Sequence, residues 1–125
     1  MKILAINKRA SFDYEILEKL EAGLVLKGYE VKSIKSGRVS LKGSYVTIKG
    51  GEAFLTNANI PAYQSVNMPK DYDPTRPRKI LLRRSQIKSL IGKTGQKGLT
   101  LTPIKVYSKG SLVKIEIGLG KESKR

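Results

Sequence analysis

Cysteine and histidine are both absent from this 125-residue chain. Without cysteine there can be no disulfide framework and no thiolate zinc site. Without histidine the Ser-His and Cys-His nucleophile pairs are excluded, and so is the commonest metal ligand. Long apolar runs are missing too. The N-terminus offers only four consecutive apolar residues, Ile3 to Ile6, too few for the core of a signal peptide, and no run approaches membrane-spanning length. These absences lead us to expect a cytoplasmic protein that is not an enzyme, with no cofactor, no metal and no membrane partner.

Acidic residues are scarce as well, 10 against 25 bases, which leaves a net charge of +15. Residues 1–30 hold five of each sign, so the whole excess lies in the remaining 95 residues. Arg76 to Lys97 carries eight bases and no carboxylate. Solubility does not require clustering of one sign, whereas a phosphate backbone or an anionic surface attracts it.

The apolar pattern predicts one mainly β domain. A short helix is expected over residues 7–17, with Asn7 as its N-cap and Ala10, Tyr14 and Leu17 on one face. Leu20 to Leu26 reads as a buried strand bent at Gly23, and Tyr29 to Lys35 as another strand. Gly50-Gly51 joins two strand-like runs, Tyr45–Lys49 and Glu52–Thr56, as a two-residue hairpin turn would. A second hairpin is expected from Leu101–Tyr107 and Leu112–Leu119. In its last strand Val113, Ile115, Ile117 and Leu119 alternate with Lys114 and Glu116. Between the hairpins lies a proline-bearing loop, residues 60–78, followed by a helix from about Arg84 to Ile91 that Gly92 would stop. Such an element list predicts a small OB-like closed β-barrel with two or three short flanking helices, or a split β-sandwich.

Few residues could carry catalysis. Asp71 and Asp73 could hold magnesium for phosphodiester cleavage, but Asp before Pro is more often a turn former. Binding has a better candidate in Arg76, Arg78 and Lys79, continued by Arg83, Arg84 and Lys88. Proline keeps the first of these extended, so their charges could follow a phosphate chain. The alternative is an ordinary solvated face, which suits Lys88 alone. Glu21 is unusual, a carboxylate inside an apolar strand. It must find a cation or backbone donors, either by pairing with a lysine on a neighbouring strand or by accepting from a nucleotide.

Longer blocks of the sequence carry a resemblance. Asn7-Lys8-Arg9-Ala10, Asp13-Tyr14, and Glu21-Ala22-Gly23-Leu24 through Gly28, Glu30, Val31, Lys32 and Ser33 resemble the SsrA-binding protein (small protein B) family. So do Gly37-Arg38, Ser44-Tyr45, Gly51 to Leu55, Asp73 to Leu82, and Gly98 through Pro103, Lys105, Tyr107, Lys114 and Gly118. The resemblance covers residues 7–120 in register. It implies an OB-like barrel that binds the tRNA-like domain of transfer-messenger RNA and brings it, as a monomer, to the 30S A site of stalled ribosomes. It also implies RNA binding at Glu21, Leu81 and Lys114, with Asn7, Lys8 and Arg9 nearby. Lys32 and Lys105 lie in the matched blocks. With Arg76, Arg78 and Lys79 they complete the expected set. Residues 1–119 are expected to form the single barrel domain, and 120–125 the start of a basic tail that in the family is long and acts in the ribosome. A structural ribosomal protein binding ribosomal RNA is the alternative, and a magnesium-dependent nuclease a remoter one.

Overall fold

A computed structural model describes residues 1–63 and 68–123. Its elements, in order, are β1 (Lys2–Ile6), α1 (Ala10–Asp13), β2 (Tyr14–Leu24), α2 (Gly28–Lys35), β3 (Tyr45–Lys49), β4 (Glu52–Thr56), β5 (Arg78–Leu81), α3 (Arg84–Gln96), β6 (Thr100–Lys109) and β7 (Leu112–Glu122). The seven strands form one antiparallel sheet in the order β1-β6-β7-β2-β5-β4-β3.

Strand alternation builds the core. Ala22 faces Ile115, which faces Val106, while Leu24 faces Ile80, which faces Ala53. With Leu55, Ile117 and Leu119 these side chains are buried under Ile34 of α2 and Leu90 of α3. Fully burying each of the larger ones contributes about 1.5–3 kcal/mol. The Gly50-Gly51 hairpin forms as expected, with φ of 61° and 75° at its two turn residues.

Several expectations need correction. The sheet does not close, because β1 and β3 stand at opposite ends of the strand order and are not paired to each other. β3 is only five residues long. Beside it, α3 and the start of β6 leave an open groove lined by Tyr45, Val46, Ile91, Leu99 and Leu101. The helix expected over 7–17 is confined to Ala10–Asp13, and Tyr14 onward is strand β2, held along its length by β7. Asn7 is not a cap: its side-chain amide donates to the Pro103 carbonyl at 2.8 Å. Tyr29–Lys35 is helix, not strand, with Glu30, Ser33 and Ile34 buried at helical spacing. α3 runs through Gly92 and ends only before Gly98, which takes φ of 64°. Finally, β7 continues past residue 119 to Glu122, opposite Tyr14, and the Ser123 amide donates to the Asp13 carbonyl at 2.8 Å. The expected start of a tail is therefore partly strand. Lys124 and Arg125, like positions 64–67 of the proline-bearing loop, lie outside the described residues.

Candidate nucleic-acid interface

The face of the sheet turned away from the core gathers the expected residues in register. One row crosses it as Ile3, Tyr107, Lys114, Gly23 and Leu81, each directly opposite the next on the neighbouring strand. The next row runs Ile6, Lys105, Glu116 and Glu21. Lys79 stands two residues before Leu81 on β5, opposite Phe54, and pairs with Glu52 at 3.2 Å. Glu21, Leu81, Lys105 and Lys114 thus share one face, with Lys79 beside them.

Asn7, Lys8 and Arg9 follow Ile6 directly. The Asn7 amide donates to the Ile104 carbonyl at 2.7 Å, which ties this segment to β6 next to Lys105. Lys8 and Arg9 are exposed, and Arg9 pairs with Asp13 at 3.0 Å.

Glu21 is not inside the strand's apolar face. Strand parity turns Ala22 inward and Glu21 outward, where its carboxylate accepts from the Tyr107 hydroxyl and lies 3.5 Å from the Lys109 ammonium. The Tyr107 hydrogen bond, with Lys109 and Lys114 adding to it, holds the Glu21 carboxyl below the usual value. Burial, reinforced by the bond to Glu21, pushes the Tyr107 hydroxyl up. Lys105 sits over the Tyr107 ring, 5.6 Å from its centre.

Arg76 and Arg78 do not join this face. β5 alternates Arg78 and Ile80 inward with Lys79 and Leu81 outward, and Arg78 is 0% exposed. Its guanidinium donates to Glu30 Oε2 through Nε at 2.9 Å and Nη2 at 2.7 Å, and to the Ala58 carbonyl at 2.7 Å. Arg76 grips the other side of the same carboxylate, through Nε to Oε2 at 3.0 Å and through Nη2 to Oε1. Tyr72 closes the cluster, donating to the Ile60 carbonyl at 2.7 Å and accepting from Arg78 at 3.0 Å. Burial would raise the Glu30 carboxyl, but Arg76, the Lys27 amide and Arg78 more than offset it and hold the group below its ordinary value. A guanidinium enclosed in this way cannot follow a phosphate chain. Glu30, the hub of the cluster, went unnoticed in the sequence. Its one signal was a glutamate placed three residues after Lys27, whose carboxylate accepts from the Lys27 amide at 2.9 Å as helix-starting glutamates do.

The other expected residues are scattered. Lys32 is exposed on α2. Lys93 on α3 pairs with Glu18 at 2.8 Å. Asp73 accepts from the Thr75 amide at 2.9 Å and from its hydroxyl at 3.0 Å, which makes it a turn former.

A family model described as "SmpB protein" matches residues 4–125. The SsrA-binding protein of Shouchella clausii is 51% identical over 123 residues, covering 98% of this chain and 78% of the relative. That of Carboxydothermus hydrogenoformans is also 51% identical, over 98% of this chain and 82% of the relative. A solved structure described as "tmRNA-SmpB: a journey to the center of the bacterial ribosome" superposes with a TM-score of 0.75 at 43% identity. The match covers 95% of this chain and 83% of that one. On these matches, which span almost every residue, the chain belongs to the SmpB family.

Proposed function

We propose that this chain binds transfer-messenger RNA and acts with it in trans-translation, rescuing stalled bacterial ribosomes. The observation that carries the reading is the register of the outer face. Lys114, Gly23 and Leu81 are consecutive across β7, β2 and β5, with Glu21 and Lys105 in the adjoining row. An exposed leucine beside a lysine offers an apolar contact to an unstacked base and a charge for its phosphate, the combination by which single-stranded RNA loops are held. The RNA element that supplies such a loop in this reading is the tRNA-like domain, with Lys8 and Arg9 contacting its backbone at the end of β1.

The test is equilibrium binding to a transcript of the tRNA-like domain, with a plain RNA duplex of equal length as competitor. Tight binding that the duplex fails to displace is expected. Lys114→Ala should weaken it by about 1–3 kcal/mol, as loss of a charge-assisted hydrogen bond does, with no change in melting temperature. Equal affinity for the duplex would refute the reading.

A further inference from the structure

The open groove beside β3 holds about 690 Å³ and shares no residue with the rows of the outer face. Tyr45, Val46 and Ile48 reach it from β3, Ile91 from α3, and Leu99 and Leu101 from the chain entering β6. No lining residue carries a charge. Tyr45 and Ile91 are each 50% exposed, so large apolar side chains stand in water around a concavity. Apolar surface displayed in this way marks a contact for a partner.

The backbone around the groove is as open as its side chains. β3 is the last strand of the sheet, so one of its edges has no strand partner among the described residues. The two-residue turn at Gly50-Gly51 makes Lys49 and Glu52 the first hydrogen-bonded pair of the hairpin. Counting back from it, Thr47 and Tyr45 bond to β4, while the N–H and C=O groups of Val46 and Ile48 point to the free edge. An extended chain laid along that edge would meet donors and acceptors at strand spacing, and its alternate side chains would enter the groove. Across the groove, α3 carries Gly92 and Gly95 in its interior, where glycine weakens a helix. The fold demands neither, because a Cβ at each would meet nothing within 4 Å and neither has positive φ. Gly95 lines the groove, which leaves the helix backbone bare there for close approach.

Charge selects the occupant. No acidic residue occurs from Pro74 to Ile115, so the α3 and β6 sides of the groove carry none. Lys49 adjoins the turn, Lys88 lies one helical turn before Ile91, and Lys97 follows Gly95 by two residues. All three are exposed, and among the described residues none is paired with a carboxylate. Glu52 stands opposite Lys49 but pairs with Lys79. A net charge of +15 repels a second copy of the chain and attracts an acidic segment. A polynucleotide has no row of amides to complete a strand edge and would find no cation among the lining residues. We propose that the groove binds an extended peptide segment of another protein, paired to the β3 edge. Its apolar side chains enter the groove, and acidic ones between them face Lys49.

The experiment selects randomised heptapeptides displayed on phage against the parent chain, with counter-selection on Gly95→Leu. That variant fills the groove mouth and, by replacing a helical glycine, should raise the melting temperature, so lost binding cannot come from unfolding. Ile91→Glu, a change at an exposed position, is the second counter-selecting variant. Sequences that alternate apolar and acidic residues, kept by the parent and rejected by both variants, are expected. In NMR a recovered peptide should slow hydrogen exchange of the Val46 and Ile48 amides and leave the Lys114 resonances in place. Ile91→Glu should weaken its binding by about 10–100-fold, because like charges then meet in the groove. Recovered sequences with apolar residues at helical spacing, or none that separates the parent from the variants, overturn the proposal. Protection of Val46 and Ile48 that grows with the concentration of the chain alone would mean pairing with a second copy, which also overturns it. So does displacement of the peptide by the tRNA-like transcript with the same two amides protected, since RNA would then be the occupant. None of these outcomes decides whether the outer face binds RNA.

Discussion

Arg78 and Lys79 are neighbours in one basic run, yet one is enclosed with a glutamate and the other stands in solvent. Strand parity alone decides their fates. The consequence is testable at Glu30, because removing a carboxylate from beneath two arginines leaves buried positive charge without a partner. Glu30→Gln should destabilise the fold by about 3–5 kcal/mol, read from the denaturant midpoint. The Glu30 carboxyl is held below its ordinary value of 4.5. Its contribution is therefore present above that pH and is lost as pH falls through the lower folded value. The stability of the parent chain should drop from roughly pH 5 downward more steeply than that of Glu30→Gln. Glu21 allows a second test of the same kind through its buried partner Tyr107. Tyr107→Phe removes its strongest hydrogen bond, so the carboxyl titration followed by NMR should move up toward 4.5. An unmoved titration would show that Lys109 and Lys114 alone set it. Lys114 was legible in the sequence as an outward residue because its strand alternates cleanly. Arg78 was not, because Ile80, Leu81 and Leu82 are all apolar and erase the alternation that would have assigned the faces.

Among the elements, local signals succeeded where they were strong and failed where a distant strand overrode them. Gly50-Gly51 announced its hairpin because both turn residues need positive φ, which glycine adopts without strain. Ala10, Tyr14 and Leu17 have helical spacing, but β7 pairs with the chain from Tyr14 onward and extends it. Tyr29–Lys35 lacks an apolar stripe because the face it buries includes Glu30 and Ser33, so no periodicity revealed a helix. The end of β7 is expected as tail only from the family resemblance, and Gly120, Lys121 and Glu122 carry no apolar side chain that would announce a strand. The structure gives Gly120 a specific reason to be glycine: a Cβ there would lie 2.6 Å from the Glu15 carbonyl oxygen, backbone that cannot swing aside. Gly120→Ala should therefore cost about 1–3 kcal/mol in thermal or chemical unfolding, as overpacking does. A tail residue substituted in this way would cost nothing, so the measurement distinguishes strand from tail.

At the scale of the whole molecule, composition gives the excess of positive charge and the apolar pattern a mainly β fold, but neither shows how many bases remain free for a ligand. Arg76 and Arg78 are committed to Glu30, and Lys93 is paired with Glu18. Arg9 and Lys79 are paired too, with Asp13 and Glu52, which leaves Lys8, Lys105 and Lys114 among the bases gathered at this face. With roughly three phosphate contacts, the logarithm of RNA affinity should fall with the logarithm of salt at a slope of about −2 to −3. A flat response would exclude backbone contact as the source of affinity. The strand order has a consequence of another kind, for a chain made from its N-terminus onward. Among the described residues β1 pairs only with residues 105–108, and β2 only with residues 80–81 and 114–122. The first two strands are thus synthesised long before any partner exists, and the central strand of the sheet acquires both neighbours only as β7 appears. Closing such distant pairs is slow, and strands waiting unpaired are open to proteases. A nascent chain interrupted before β6 should therefore be cut throughout β1 and β2 in a brief proteolysis assay, while the completed chain resists. Damage to its own message upstream of that point yields a product fit only for degradation, never a partly working one.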